Sequence, residues 1–313
     1  MPPTILPRHW FLLGFLGIVW GASFMAMKIA LDGVGPFVLA ASRVVLGSFF
    51  LLVILYAMGK RLPGWRSRND RVIWCFALGV AAMGNAVPFV LLAWGQQVVA
   101  SGFAGVSMAV IPLFTLPLAH FLVPGERMHL RRLTGFVMGT MGVIVLIGPA
   151  AFSSSGADLE LLARLACIGA AFGYAMGSII TRLCPAVDML VLSAAVLLLA
   201  AILLVPVALW QEGVPSGLDS RTVGALLYIA VLPTAVAQVV LVLLTRQAGP
   251  SFLTLVNYQV PVWAVLFGAV FLLEPLPPGL LLGMVLILGG IALSQLGQLK
   301  RLFQRLRGGG QIS

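Results

Sequence analysis

Four amide side chains, Asn85, Gln238, Asn257 and Gln259, fall inside long apolar stretches, each within five residues of Pro88, Pro233 or Pro261; Thr234 sits beside Pro233. A polar side chain in hydrocarbon is costly unless a partner or a water-filled cavity receives it. Proline removes a backbone donor and frees the carbonyl one turn earlier, which a membrane tolerates where a cavity or a neighbour satisfies that group. Amides beside such breaks can donate to and accept from a small polar solute in a wet pocket at mid-membrane. Hydrogen bonding between helices, with no solute contact, accounts for the same residue types. Two cations share these stretches. Lys28, near the end of the first, is expected to snorkel towards headgroups. Arg43 lies about two turns into the second, and either donates to helix-end carbonyls or clamps a substrate carboxylate. Trp20, Tyr174 and Tyr258 sit mid-stretch beside small or amide residues, where they could meet an apolar solute moiety. The expected cavity set is therefore Trp20, Arg43, Asn85, Tyr174, Gln238, Asn257, Tyr258 and Gln259.

Other chemistry is missing. All nine acidic residues fall at the ends of apolar stretches or between them, as do His9, His120 and His129. A mid-membrane Asp/Glu/His proton relay is not expected, and diffusion down the substrate's own gradient is the favoured mode. The mid-stretch serines have no histidine at matching depth and there is no H-E-x-x-H, so neither an enzyme, a cofactor nor a metal site is expected. Cys75, Cys167 and Cys184 have neither metal-ligand nor disulfide-framework spacing and read as small apolar side chains.

The elements that must hold these residues are membrane helices. The chain has 313 residues, 61% hydrophobic and 9% charged, with a mean hydropathy of +1.09. Soluble domains average about 25% charged, so this chain could not cover a water-facing surface. Its apolar runs have the length of helix that crosses a bilayer, and the alternating short strands of a barrel are absent. Ten spans are expected, near 10–30, 36–58, 72–93, 98–121, 133–150, 162–181, 188–210, 222–244, 250–273 and 279–299. With the N-terminus in the cytoplasm, fifteen of the nineteen Lys and Arg fall on the inner side and two on the outer. That asymmetry predicts both termini cytoplasmic, and it explains the +10 net charge by orientation and anionic lipid, with no nucleic-acid partner.

One pattern occurs twice. Pro112 and Pro261 lie 149 residues apart; Glu126 and Glu274, Gly135 and Gly283, and Gly142 and Gly290 each lie 148 apart. Five spans per half is odd, so the second half enters from the opposite face and the repeats are inverted: 1–149, then 150–299, then a basic cytoplasmic tail, 300–313. Paired, proline-broken hydrophobic segments in corresponding places are the mark of secondary transporters that bind substrate between the halves. Pro88, Pro112, Pro233 and Pro261 are the expected kink or hinge points. Gly17 and Gly21 match Gly169 and Gly173 and are expected to let helices approach closely.

The ten spans, the five-span repeats, Trp20-Gly21-Ala22-Ser23, Arg43 and the closing glutamate with its glycine-rich run resemble the EamA-type drug/metabolite transporters, and within them the bacterial YddG-type amino-acid exporters. The second copy departs from the pattern: Gly125-Glu126-Arg127 becomes Leu273-Glu274-Pro275. The resemblance implies an all-α membrane protein in which spans 1, 3, 4, 6, 8 and 9 surround a central cavity and spans 5 and 10 are peripheral. It further implies a monomeric inner-membrane carrier exporting small metabolites, above all amino acids with apolar or aromatic side chains, by alternating access. Another exported metabolite or drug, a channel and a structural membrane protein are the alternatives.

Overall fold

The computed structural model describes residues 6–123, 130–147, 158–248, 250–253, 255–276 and 279–293; Glu126, Arg127 and the tail 300–313 lie outside these. The described chain is helical. Prolines at the first turn start α1 (Pro7–Ala30) and α2 (Pro36–Ala57), where a missing N–H costs nothing. Side-chain caps start others: Ser67 accepts from the Asp70 amide ahead of α3 (Arg68–Gln96), and Asp188 from the Leu190 and Val191 amides ahead of α7 (Met189–Gln211). Asp219 does the same for the next helix through the Thr222 amide, and hydrogen bonding by Thr222, its side chain first and its amide second, holds the carboxyl below the ordinary range. The remaining helices are α4 (Ser101–Leu122), α5 (Leu130–Ile147), α6 (Asp158–Leu183), α8, α9 and α10 (Gly279–Leu293). The α8 helix runs as Ser220–Ala230, a π-helical turn Val231–Val236, and Ala237–Gln247; α9 runs as Pro250–Leu253 and then Val256–Phe271.

Seven helices are long and apolar enough to cross a membrane unaided, and α5, α9 and α10 contribute shorter apolar stretches. Large apolar side chains cover the outside, among them Phe11 (74% exposed), Phe121 (80%) and Trp210 (82%). Such a surface suits lipid and not water. This is an all-helical membrane protein.

Helix pairing shows a twofold relation between the halves. Exchanging each helix for the one five places along turns the contact α1–α9 into α6–α4, α3–α6 into α8–α1, and α3–α7 into α8–α2, while α2–α7 and α4–α9 map onto themselves; every one of these pairs is closely packed. A sixth relation concerns the two glycine-rich runs. A side chain at Gly290 would meet the Gly135 carbonyl at 2.5 Å, and one at Gly283 the Gly142 carbonyl at 3.1 Å, so α5 and α10 touch backbone to backbone. Each of these pairs joins one repeat to the other. The repeats interlock around the centre, and neither is a self-contained lobe.

A central cavity between the repeats

The cavity is built at four places where α-helical geometry is interrupted. In α3 the turn Ala82–Ala86 is π-helical, and in α8 so is Val231–Val236. At each, one side chain reaches the carbonyl five residues back: Asn85 Nδ2 donates to Val80 O (3.2 Å), and Thr234 Oγ1 to Ile229 O (2.9 Å). Ile229 O is the acceptor that the missing N–H of Pro233 would have used in a regular helix, so the hydroxyl replaces the lost donor. Helix α4 breaks at Ala109–Val110, immediately before Pro112, and α9 breaks ahead of Val256. Pro261 lies inside the regular part of α9, and Pro88 in the first turn after the α3 bulge.

These breaks open a cavity of about 540 Å³, within the roughly 300–1,000 Å³ of ordinary small-molecule sites. Trp20, Arg43, Asn85, Tyr174, Gln238 and Asn257 lie on its wall; Tyr258 and Gln259 do not. Successive helical residues point about 100° apart, so the three neighbours in α9 face three ways. Gln259 packs on α1 against Gly17, where an added Cβ would come within 2.9 Å of the glutamine's own. Gly21 lies against Trp263 and Ala264 of α9, and Gly173 against Pro88 and the Met83 carbonyl, which an added Cβ would meet at 2.8 Å; a Cβ at Gly169 would make only ordinary contact with Leu91 (3.5 Å). Pro233 and Pro261 also line the cavity, and Ile111 does so in place of Pro112.

Arg43 is the one charged residue among the described residues of the cavity wall and is only 9% exposed. Its Nε donates to Thr234 Oγ1 (3.1 Å), its Nη1 lies 3.8 Å from Met27 Sδ, and its guanidinium carbon sits 4.1 Å from the centre of the Phe89 ring. Tyr174 is within its electrostatic reach, with its ring 6.1 Å from that of Phe89. Five helices thus meet at one cation. Its two recorded hydrogen-bond partners are a hydroxyl and a thioether, and among the described residues no carboxylate pairs with it. Phe89 and Thr234 were not in the expected set. Each directly follows a proline, Pro88 and Pro233, and that adjacency marks both in the sequence.

The role of donor to helix-end carbonyls falls to Lys28, correcting the expectation that it snorkels. Its Nζ turns inward, donating to Gln96 O (2.6 Å) and Val99 O (3.4 Å) at the end of α3. Three more ties close the same face. Gln96 Nε2 donates to Phe24 O (3.1 Å); Glu212 accepts from the Phe37 and Val38 amides (3.1 and 2.8 Å) at the start of α2; Glu274 accepts from the Ser101 amide and hydroxyl (2.8 and 2.7 Å) and the Gly102 amide (3.2 Å) at the start of α4. Towards the opposite face the cavity continues past Ser178 and Thr181 of α6 to Met189, the first residue of α7. The N-terminus of α1 is on that face, where His9 meets Gln247 and Lys60 pairs with Asp188 (2.9 Å). One end is clasped shut, and the cavity's lining extends towards the other.

The sequence matches the EamA-like transporter family twice, over residues 8–148 and 161–296. An all-helical inverted repeat around a central cavity is a carrier architecture, and the chain belongs to the EamA-like transporter family. It is 26% identical over 285 residues to the uncharacterized transporter YoaV of Bacillus subtilis, covering 90% of this chain and 94% of that one. It is 29% identical over 263 residues to the uncharacterized inner membrane transporter YedA of Escherichia coli (81% and 79%), and 26% identical over 291 residues to a protein of that organism described as a "probable amino-acid metabolite efflux pump" (90% and 92%). A solved crystal structure superposes with a TM-score of 0.65 at 22% identity, covering 92% of this chain and 97% of the other, and so shares the fold. The protein is a transporter and not an enzyme.

Proposed function

We propose that this transporter exports small carboxylate-bearing metabolites with apolar or aromatic bodies across the bacterial inner membrane, the class that includes the amino acids exported by YddG-type carriers. The observation that carries the reading is Arg43: a guanidinium on the wall of a mainly apolar cavity, with donors to spare and no protein anion beside it. A substrate carboxylate supplies the missing charge, accepting from the planar fork in the bidentate geometry that arginine favours. Trp20, Phe24 and Tyr174 offer aromatic surface to the remainder of the solute, and Asn85, Gln238 and Asn257 offer amides.

The Lys/Arg asymmetry puts the face towards which the cavity extends in the cytoplasm, and we take that face as the open one that loads substrate for export. Alternating access then requires the clasps at Lys28, Glu212 and Glu274 to release while the open face closes. Because the repeats interlock, bundles drawn from both must move against each other. The name of the efflux-pump relative and the inner-membrane location of YedA support the same reading. The test is a panel of labelled amino acids and related metabolites in proteoliposomes. Saturable counterflow of apolar or aromatic amino acids supports the proposal; counterflow confined to solutes without a carboxylate refutes it, and non-saturating flux marks a channel.

A further inference from the structure

We infer that the cavity selects a net anion, a carboxylate with an apolar or aromatic body whose nitrogen is acylated or absent, over the zwitterionic free amino acid. The inference rests on the carboxylate reading of Arg43 proposed above and narrows it.

An α-amino acid brings an ammonium wherever it brings its carboxylate, and the two charges sit only a few ångströms apart. The carboxylate has Arg43; the ammonium has no anionic counterpart among the described residues of the cavity wall, where the arginine is the single charged one. The described carboxylates with recorded bonds are engaged elsewhere. Glu212 and Glu274 cap helix starts on the closed face, Asp219 caps α8, Glu160 pairs with Arg164, and Asp188 holds Lys60 and the start of α7. The Phe89 ring, which could have received an ammonium on its face, already has the guanidinium there at 4.1 Å. A second cation placed near Arg43 would be repelled more strongly than in water, because the low-dielectric wall screens poorly.

The neutral groups point the same way. Asn85 commits its Nδ2 to Val80 O, and Gln238 commits its Nε2 to Ser193 Oγ (2.6 Å). Each NH2 has a second N–H, a donor that suits an anion and not an ammonium, and each amide also keeps its carbonyl oxygen. Such an oxygen accepts well from the N–H of an acylated amine, which adds a donor without adding charge. It cannot offset the full charge of an ammonium, whose loss of hydration is far costlier than that of an amide.

The experiment titrates the purified full chain near neutral pH with four probes of one aromatic body: phenylalanine, N-acetylphenylalanine, 3-phenylpropionate and phenylalanine amide. The expected result is that both anions bind at least ~10-fold tighter than phenylalanine, a difference of about 1.4 kcal/mol. Phenylalanine amide, a cation without a carboxylate, gives no binding. In Arg43→Gln, with folding checked by thermal unfolding, the advantage of the anions disappears. The smaller 3-phenylpropionate guards against a size effect of the acetyl group. Phenylalanine binding as tightly as both anions, or more tightly, overturns this selection and leaves the carboxylate site standing. Failure of all three carboxylates to bind removes the carboxylate site and the selection together.

Discussion

Asn85 and Thr234, 149 residues apart, make the same bond in opposite halves of the molecule: each donates to the carbonyl five residues before it, at 3.2 and 2.9 Å, inside a π-helical turn that faces the cavity. The separation equals that of Pro112 and Pro261. Duplication therefore preserved the geometry of the bulge while the side chain that serves it changed from amide to hydroxyl. The change matters because only the hydroxyl has a second task, accepting from Arg43 Nε.

Thr234→Val keeps the shape of the side chain and removes both bonds. Ile229 O and Arg43 Nε each lose a partner, and a buried group left unsatisfied costs about 1–3 kcal/mol. We expect lowered thermal stability together with weakened substrate binding, and Thr234→Ser to restore both. Unfolding and ligand titration of the two variants check this; a valine variant matching wild type in both would show that the bulge needs no side-chain support.

Arg43→Gln separates two roles that have opposite signatures. Had Arg43 tied helix ends together, its loss would unfold the protein. Its recorded contacts are instead a hydroxyl, a thioether and an aromatic face, and an unpaired buried cation is itself costly. We expect Arg43→Gln to stay within about 1 kcal/mol of wild type in stability and to lose transport of carboxylate substrates by at least ~10-fold. Melting curves and proteoliposome flux on the same preparation decide between them. A large drop in melting temperature would return Arg43 to a structural role.

Glu274 gives a prediction about the closed face. Its carboxylate takes three donors at the start of α4, and Gly268 has no side chain because one would strike Glu274 and Ser101. Glu274→Ala leaves those donors bare, at a cost near the roughly 0.5–2 kcal/mol of a lost helix cap. It also loosens a clasp that must open in the cycle. The expected signature is lower stability with faster labelling of a cysteine introduced at Val99, buried beside the clasp, by a membrane-impermeant thiol reagent applied from the side that the proposed orientation makes periplasmic. Unchanged labelling would mean that Glu274 is a cap alone.

Spans, repeats and their inversion were legible in the sequence because hydropathy and residue spacing report directly on depth and duplication. Azimuth was harder. Asn257, Tyr258 and Gln259 are adjacent in the chain at similar depth, yet only Asn257 reaches the cavity wall, since each step turns the helix by about 100°. Lys28 was placed at the right depth and given the wrong partner, because its acceptors, Gln96 O and Val99 O, are backbone atoms that carry no sequence signal. Glu212 and Glu274 were recognisable as helix-end carboxylates. That each would cap a helix of the other repeat depends on packing between segments over 170 residues apart.

The energy source of transport supplies the last prediction. Carriers that couple to protons commonly place an Asp, Glu or His where substrate or water can reach it within the membrane. None of the described residues lining this cavity is of those types. The described carboxylates with recorded bonds are held in caps or ion pairs at helix ends, where a proton taken up would weaken a clasp without meeting substrate. We expect counterflow of labelled substrate in proteoliposomes at equal internal and external pH, undiminished by a protonophore. Net efflux should follow the substrate gradient, with the membrane potential adding to it if the transported species is an anion leaving an interior-negative compartment. Strict dependence on an imposed pH difference would require a proton carrier outside the cavity wall and would refute this account of the driving force.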